Sequence, residues 1–459
     1  MSLNWLNCFS EKRFGFTPNV EDIRTAYEKD WDRIIFSSPF RRLQNKTQVF
    51  PLPEEEFVHN RLTHSLEVAS VGRSIGKMVG KKISEIPEIN EDEKARKFYR
   101  NNLKNVIGAA CLAHDLGNPA FGHSGEEAIS KYFKKRNTSK EEDMIFKSKF
   151  SENEWKDLTT FEGNANALRI LTKNLAEEFS GGFRLTYSTL GAIIKYPCES
   201  LATNKNFKHL KKYGFFKSEE KIFIEVCNEL NMIKDDESEF VAYKRHPFVY
   251  LVEAADDICY NIIDFEDAHR LKILDFDTVK EIFIEIIKTN PNENIENVLL
   301  NLNLLEKNKN ESISYLRAKC INTLINHCVD VFINQQDAIL KGEYNNSLIE
   351  DIPELRTIFE KIEEINIKYI YNNKSVVELE IAGFRIMSSL VEDFVLSALT
   401  PKEDRDKEQQ KILELLPSQY TFKEEDSDYE KVMCILDFIS GMTDIYALKL
   451  YRKFKGIEL

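Results

Sequence analysis

The spacing of apolar and polar positions predicts helices over most of this chain. Residues 106–112 are continuously apolar and suit a buried helix, and a helix over residues 61–82 has one apolar side. Residues 248–263 form a third, strongly apolar helix. Segments with strand character are few, and a short hairpin fits best around residues 180–190 or near residue 370. The predicted fold class is therefore all-α.

The second half of the chain has a different composition. After about residue 275 it becomes a series of amphipathic helices in surroundings rich in asparagine, lysine and glutamate. These predicted helices cover residues 277–288, 295–306, 311–341, 352–370, 376–398, 405–415 and 428–452. The 17 glycines and 12 prolines among 459 residues are about half the usual share, which favours long helices. We expect two regions, residues 1–275 and 276–459, with a charged excursion near residues 134–157.

The charge balance restricts the classes of function. The formal net charge is −13, from 63 basic and 76 acidic residues. A general nucleic-acid binder normally carries a basic face, so the balance argues against that class but leaves room for a local basic pocket. Residues 205–217 are locally basic, with lysines interleaved with aromatic residues. We interpret them as a solvated helix with aromatic anchors, and single-stranded DNA binding is the alternative.

Cysteine usage and the terminus indicate a compartment. The eight cysteines are scattered singly, with no Cys-x-x-Cys pair, which favours buried thiols in a reducing compartment. Residues 1–10 lack the charged start and apolar core of a signal peptide. No apolar run reaches the ~18 residues of a membrane span. We expect a cytoplasmic protein without a membrane segment.

Four titratable side chains follow the apolar run 106–112 closely. His114 and Asp115 are adjacent at the predicted end of that helix, and His123 and Glu126 come after the loop that Gly117 opens. A single histidine in an apolar run is usually a hydrogen-bonded core residue, but this density favours a metal site. Imidazole and carboxylate ligands together suit a first-row transition ion better than calcium.

The apolar helix at residues 248–263 carries further ionisable groups. Asp256, Tyr260 and Asp264 are spaced four residues apart, so they drift only slowly around one helix face. Buried ionisable groups are costly unless they are paired or bind metal. A surface stripe is the alternative, but the apolar flanks leave little exposed face. These residues therefore belong with the candidate site.

The cations of residues 40–50 have a plainer interpretation. Arg41, Arg42 and Lys46 have near-helical spacing and are interleaved with glutamines. Taken alone, such a segment is more often a solvated helix face than a binding site.

The ordered set of motifs resembles the deoxyguanosine triphosphate triphosphohydrolase family of HD-domain phosphohydrolases. The matching stretches are residues 40–49, 61–65, 114–119, 121–126, 161–165, 195–197, 253–260 and 380–384. An adjacent His-Asp pair alone would be weak evidence, whereas this ordered set is highly specific. The resemblance implies an HD-domain core in residues 1–275. It also implies that residues 276–459 complete the pocket and supply oligomer contacts.

The resemblance also implies a ligand set for one divalent metal ion. The matching residues are His64, His114, Asp115 and Asp256. Asp257 is the alternative fourth ligand; we favour Asp256 because it is in register with Tyr260 and Asp264. The ligands do not select the ion, so manganese or magnesium is expected first and iron, cobalt or nickel stays open.

The remaining matches imply catalytic and substrate-binding roles. His123 and Glu126 match a catalytic pair near the α-phosphate, with Glu162 as a further catalytic candidate. The phosphate-contacting matches are Arg61, Lys195 and Tyr196, and the deoxyribose matches are Gln48, Tyr260 and Asp264, with Phe384 completing the sugar wall. A tyrosine packed against C2′ would leave no room for a hydroxyl group.

The implied activity is hydrolysis of deoxynucleoside triphosphates, with dGTP expected first, to deoxynucleoside and tripolyphosphate. One alternative is an HD-type phosphohydrolase acting on another nucleotide, although Arg61, Lys195 and Tyr196 favour a triphosphate over a monophosphate. Another is a non-catalytic nucleotide sensor or single-stranded DNA binder. The family resemblance further implies a homo-oligomer, often a hexamer.

Overall fold

The computed structural model describes residues 3–15, 23–50, 58–173 and 182–457. Within these ranges the chain is all-α, as predicted, and its only β-type pairings are isolated bridges such as the one between Thr47 and Asn60. No described helix is long and apolar enough to cross a membrane.

The helices of the first region are α1 (Ala26–Ile35), α2 (Ser38–Arg42), α3 (Arg61–Ser84), α4 (Pro87–Glu91), α5 (Glu93–Lys97), α6 (Leu103–Ala113), α7 (Gly122–Lys134), α8 (Glu141–Lys147), α9 (Glu152–Thr159), α10 (Gly163–Thr172), α11 (Tyr187–Ile193), α12 (Glu220–Glu229) and α13 (Pro247–Arg270). Those of the second region are α14 (Phe276–Lys288), α15 (Ile295–Leu304), α16 (Lys309–Asn334), α17 (Gln336–Leu340), α18 (Arg356–Ile365), α19 (Lys374–Leu399), α20 (Lys407–Glu414), α21 (Asp428–Ser440) and α22 (Asp444–Phe454). Short 3-10 turns occupy Leu43–Asn45, Ser200–Ala202, Lys208–Leu210, Lys217–Glu219, Pro353–Leu355, Lys402–Asp404 and Ser418–Tyr420, and π-helical turns occupy Phe98–Asn102 and Asn366–Tyr371.

The hairpin prediction is wrong for the described residues. Residues 180 and 181 lie outside the description, but α11 starts directly after Thr186, whose hydroxyl caps it by accepting a hydrogen bond from the Thr189 backbone amide. The alternative place, near residue 370, is a π-helical turn that continues α18. β-branched and aromatic residues at both places resemble strand composition, but capping and packing determine the helical outcome.

A first hydrophobic cluster surrounds α13. This helix packs against α3, α11 and α16, and α3 packs in turn against α6. Glycines let α3 approach its neighbours closely: a Cβ at Gly72 would lie 2.5 Å from Cys111 Sγ, and one at Gly80 would lie 2.1 Å from the Tyr99 carbonyl oxygen. Because α13 is buried along most of its length, its carboxylates are held inside the protein.

A second hydrophobic cluster forms where α19 packs against α7, α21 and α22. A Cβ at Gly383 of α19 would lie 2.5 Å from Phe121 Cβ, so this helix rests directly on the residue before α7. The first cluster combines residues from both sides of position 275, and so does the second. The division there stays a prediction.

Two predicted segments differ in detail. The charged excursion contains two helices: α8 has no buried residue, whereas α9 buries Trp155 and Leu158 in the second cluster. The helix predicted over residues 428–452 is two helices, α21 and α22, because the chain turns at Gly441.

The close approach of α3 to Tyr99 predicts a stability effect. Gly80→Ala would place a methyl group against the Tyr99 carbonyl oxygen, which the π-helical turn Phe98–Asn102 holds in position. We therefore expect a loss of about 2 kcal/mol in the free energy of unfolding. Ser74→Ala, at an exposed position of the same helix, should change it by less than about 0.5 kcal/mol. Urea denaturation measures both, and equal stabilities for the two variants would contradict the packing described.

Candidate active site

A cavity of about 750 Å³ lies between the two hydrophobic clusters. Its wall brings together most of the residues singled out in the sequence: Gln48, Arg61, His64, His114, Asp115, His123, Glu126, Glu162, Lys195, Tyr196, Asp256 and Tyr260. Asp264 and Phe384 do not line it. Asp264 is buried one turn along α13 from Tyr260, and Phe384 packs in the second cluster with Lys131 Nζ 4.2 Å from its ring centroid.

The end of α6 presents His114 to this cavity. The ring donates from Nδ1 to the Cys111 carbonyl oxygen at 2.6 Å, so that the neutral ring has its lone pair on Nε2. Nε2 is buried and has no hydrogen-bond partner among the described residues. An orphaned imidazole nitrogen of this kind is what a metal ligand requires before the ion binds.

Three side chains, one from the first turn of α3 and two from the end of α6, converge at the same point. Ligand atoms of His64, His114 and Asp115 all lie within 4.8 Å of one another. Asp256 Oδ1 on α13 is 3.1 Å from His64 Nε2 and 3.5 Å from His114 Nε2. Two imidazoles and two carboxylates therefore fit a first-row divalent ion and leave coordination positions for water and substrate.

The electrostatics of this cluster favour a bound cation. Burial alone would lower the pKa of His114, but Asp115 and Asp256 outweigh it and raise that pKa to about 9. Burial likewise opposes ionisation of Asp256, yet His114 and His64 hold the pKa of this carboxyl well below its usual range. The cluster thus keeps positive charge between its carboxylates. A divalent ion would supply that charge and replace the histidine proton.

Asp257, the alternative fourth ligand, also lines the cavity. Burial raises its pKa to about 7, and the neighbouring Glu253 and Asp256 act in the same direction against Lys195. The carboxylate oxygen that lies within 3.5 Å of both His64 Nε2 and His114 Nε2 belongs to Asp256 instead.

The first turn of α7 holds a histidine–carboxylate pair. His123 Nδ1 donates to Glu126 Oε2 at 2.7 Å, and Glu126 Oε1 accepts from the Gly163 backbone amide at 2.7 Å. Glu126 is buried, whereas the His123 side chain is 86% exposed and lines the cavity. The hydrogen bond to Glu126 raises the pKa of His123, so the ring is suited to carry a proton near neutral pH.

A close backbone approach fixes the distance between this pair and the metal cluster. A Cβ at Gly117 would lie 1.9 Å from the Gly163 carbonyl oxygen, and one at Gly163 would lie 2.6 Å from Glu126 Oε1. Only glycine allows the loop after Asp115 and the start of α10 to touch in this way.

Glu162 precedes α10 and caps it. Its Oε1 accepts from the Asn164 amide at 3.3 Å, and Lys212 Nζ is 3.1 Å from its carboxylate. Burial raises the pKa of Glu162, and the nearby Glu126 adds to that effect.

Lys212 and Lys211 line the cavity, which the sequence interpretation missed. The solvated helix predicted for residues 205–217 is wrong. The segment has only short 3-10 turns, Lys208 pairs with Glu350, and Lys217 pairs with Glu220. The local excess of lysine was the available signal, but the backbone path was needed to show where each lysine points.

Three of the cations in the wall are already paired with carboxylates. Arg61 Nη1 is 2.8 Å from Asp115 Oδ2, and Lys195 Nζ is 3.4 Å from Glu253 Oε1. Lys212 has its own partner, Glu162. Because these side chains are already held in place, they can bind a polyanion without a large rearrangement. The low dielectric around them strengthens the attraction.

An aromatic pair forms another part of the wall. Tyr260 is 36% exposed, and its ring is nearly parallel to that of Tyr371, with centroids 6.4 Å apart and the two hydroxyls hydrogen-bonded. Tyr371 comes from a π-helical turn, and no spacing rule in the sequence pointed to it. Gln48 Oε1 is buried without a partner in the described structure, so it can accept a hydrogen bond from a ligand hydroxyl.

Comparison with known proteins shows similarity along the whole chain. Residues 61–189 match the HD domain family, and residues 349–453 match the phosphohydrolase-associated domain family. A deoxyguanosinetriphosphate triphosphohydrolase-like protein of Synechocystis sp. is 37% identical, over 100% of this chain and 100% of its own length. A protein of the same description from Listeria monocytogenes is 35% identical, over 99% and 100% respectively. The deoxyguanosinetriphosphate triphosphohydrolase of Yersinia enterocolitica is 29% identical over 98% of each chain.

The His123–Glu126 pair predicts a measurable titration. Glu126→Gln removes the negative charge that stabilises the imidazolium, so the pKa of His123 should fall toward its ordinary value near 6.5. NMR titration of the histidine Cε1–H signals measures this, with the His123 signal identified by its loss in His123→Gln. Glu127→Gln, at the exposed neighbouring position, is the matched control. A His123 pKa that Glu126→Gln leaves unchanged would refute the pairing.

Proposed function

The chain belongs to the deoxyguanosinetriphosphate triphosphohydrolase-like family of metal-dependent HD-domain hydrolases, and from this premise we propose that it hydrolyses deoxynucleoside triphosphates, dGTP first among them. The proposed products are a deoxynucleoside and intact tripolyphosphate. The observation that carries the proposal is one cavity that combines a metal cluster, a histidine–carboxylate pair and several cations.

The proposed metal ligands are His64, His114, Asp115 and Asp256. The orphaned Nε2 of His114 and the 3.1 Å contact between His64 and Asp256 support this set. A divalent ion, manganese or magnesium in our proposal, supplies Lewis acidity at the phosphoryl group. The protein's own part is to bind the triphosphate and to place the proton donor.

His123 is the proposed proton donor to the 5′ oxygen of the leaving deoxynucleoside. The hydrogen bond to Glu126 raises the pKa of His123 and so favours the protonated ring, and Glu126 holds Nδ1 so that Nε2 is the nitrogen left for the substrate. Glu162, held by Lys212, is the proposed further catalytic group. Deprotonation of His123 as the pH rises through its raised pKa should remove the donor and lower kcat.

Arg61, Lys195 and Tyr196 are the proposed phosphate contacts, and Lys212 joins them. A triphosphate carries about four negative charges and needs several cations, which favours it over a monophosphate here. Binding would exchange carboxylate partners such as Glu253 for phosphate oxygens.

The proposed deoxyribose wall consists of Tyr260 and Gln48. The Tyr371 hydroxyl holds the Tyr260 ring in place, so the ring would oppose a 2′-hydroxyl group. Asp264 and Phe384 remain predictions for this wall. Tyr371, Val376 and Glu380 in the lining support the proposal that residues 276–459 complete the pocket.

Further parts of the proposal concern assembly and location. The exposed leucines of α15, Leu299, Leu300 and Leu304, suit contacts between copies in a homo-oligomer, which we propose to be a hexamer. All eight cysteines lie in the described part of the chain and are buried and unbridged, in keeping with a cytoplasmic protein. Single-stranded DNA binding is not favoured, because four of the five lysines that supported it, Lys208, Lys211, Lys212 and Lys217, are paired or line the cavity.

The activity is tested by incubating the protein with each dNTP and with GTP in the presence of Mn²⁺ or Mg²⁺. We expect deoxyguanosine and tripolyphosphate from dGTP and little product from GTP, resolved by ion-exchange chromatography. His123→Ala should lower kcat about 10²–10⁴-fold, the usual share of a general acid. Monophosphate with pyrophosphate as products, or a wild-type rate in His123→Ala, would contradict the assignment.

The ligand set is tested by metal content. Asp256→Asn should lower affinity for Mn²⁺ more than tenfold, because it removes one of four ligands. Asp257→Asn, the neighbouring substitution, should retain wild-type metal content. Equilibrium dialysis with atomic emission spectroscopy measures both, and the reverse order would make Asp257 the ligand.

A further inference from the structure

Both oxygens of one buried carboxylate hold backbone amides of the cavity wall. Asp444 is the first residue of α22 and is buried. Its Oδ1 accepts from the Phe121 amide at 3.0 Å, and its Oδ2 accepts from the Thr47 amide at 2.9 Å. The two amides belong to segments that are distant in sequence. They precede His123 by two residues and Gln48 by one.

A buried lysine makes the complementary connection. Lys46 is 2% exposed, and its Nζ donates to the Asn118 carbonyl oxygen at 2.5 Å and to the Ser440 carbonyl oxygen at 3.0 Å. The solvated face expected for this segment is therefore wrong at Lys46. It is also wrong at Arg42, which donates to the Gly441 carbonyl oxygen at 2.8 Å.

Asn166 adds a third connection. Its Nδ2 donates to the Gly117 carbonyl oxygen at 2.7 Å and to Ser440 Oγ at 3.2 Å. Residues 440–444, at the turn between α21 and α22, are therefore connected to both ends of the segment after the metal cluster, residues 117–121. Asp444 binds Phe121 directly, and Ser440 is connected to Asn118 through Lys46 and to Gly117 through Asn166. We call residues 440–444 the C-terminal clasp.

Asp444, Lys46 and Ser440 do not line the cavity, so these residues take no part in the reaction itself. They hold residues 117–121, which lie between Asp115 and His123 of the cavity wall. Buried backbone amides are costly to leave unpaired. Without the Asp444 carboxylate, residues 117–121 would therefore shift so that the freed Phe121 amide can hydrogen-bond to water. A displacement of about 1 Å at a reacting group can lower a rate about a hundredfold.

We propose that the C-terminal clasp positions the catalytic loop, with Asp444 as the residue that fixes His123 and Gln48 relative to the metal cluster. This inference rests on the proposed function for its kinetic consequence. The contacts themselves are independent of the substrate. The clasp lies within the part of the chain that matches the phosphohydrolase-associated domain, so it gives that region a positioning task at the active site.

The test uses Asp444→Asn in the full-length protein. Asparagine has nearly the same shape as aspartate but only one acceptor oxygen, whereas the Thr47 and Phe121 amides each bind a separate oxygen of Asp444. We expect kcat for dGTP to fall at least tenfold while KM changes less than threefold, because Lys195 and Lys212 lie outside the displaced segment. Manganese content should equal that of the wild type, since none of the metal ligands is changed.

Hydrogen exchange gives a readout that needs no activity. Peptides that contain Thr47 and Phe121 should exchange at least tenfold faster in Asp444→Asn, with the other peptides unchanged. Asp157→Asn is the matched control: Asp157 is also buried and accepts from the Lys217 amide at 2.7 Å and the Tyr429 hydroxyl at 2.8 Å, away from the loop. It should leave both peptides and kcat as in the wild type.

Lys46→Met tests the other connection. The fold-reduction in kcat of the double variant with Asp444→Asn should be smaller than the product of the fold-reductions of the two single variants, because both residues hold the same segment.

The outcomes separate the clasp from the proposed function. Unchanged exchange at Thr47 and Phe121 in Asp444→Asn would overturn the inference, as would an equal kcat loss in Asp157→Asn. A wild-type protein that hydrolyses no dNTP would refute the proposed function instead, and the exchange experiment would still decide the clasp.

Discussion

The structure depends on charge buried where α6 and α13 meet. His114 and Asp115 follow the continuously apolar last two turns of α6, and Asp256 projects from a helix that is buried along most of its length. Ionisable groups in such surroundings are stable only when they are paired or ligate a cation. The raised pKa of His114 and the depressed pKa of Asp256 express the same requirement. A metal ion satisfies it, and the first hydrophobic cluster, to which α3, α6 and α13 belong, holds the ligands together.

The cavity assigns different tasks to its two sides. The α3, α6 and α13 side carries the metal cluster, and the α7 side carries His123 with its carboxylate partner. Glycine contacts at Gly117 and Gly163 fix the distance between them. The clasp at Asp444 adds a third support from the end of the chain. Catalytic geometry in this protein therefore rests on contacts between residues several hundred positions apart, and not on one local motif.

Sequence analysis predicted the parts that local pattern determines. Apolar spacing placed α3 and α13, and motif order brought together twelve residues that line one cavity. It failed where tertiary packing decides. Part of the segment expected to form a hairpin became the start of the capped helix α11, and Lys46 proved buried although its neighbours suggest a solvated face. Local sequence could not place Tyr371, Lys212 and Asp444, because their partners lie 111, 50 and 397 residues away.

The most direct test of the proposed chemistry is the fate of the water oxygen. Hydrolysis of dGTP in ¹⁸O-labelled water, followed by mass spectrometry of both products, shows which bond is cleaved. Attack at the α-phosphorus predicts one ¹⁸O atom in tripolyphosphate and none in deoxyguanosine. Label in the deoxynucleoside, or label in a monophosphate or pyrophosphate, would contradict the account.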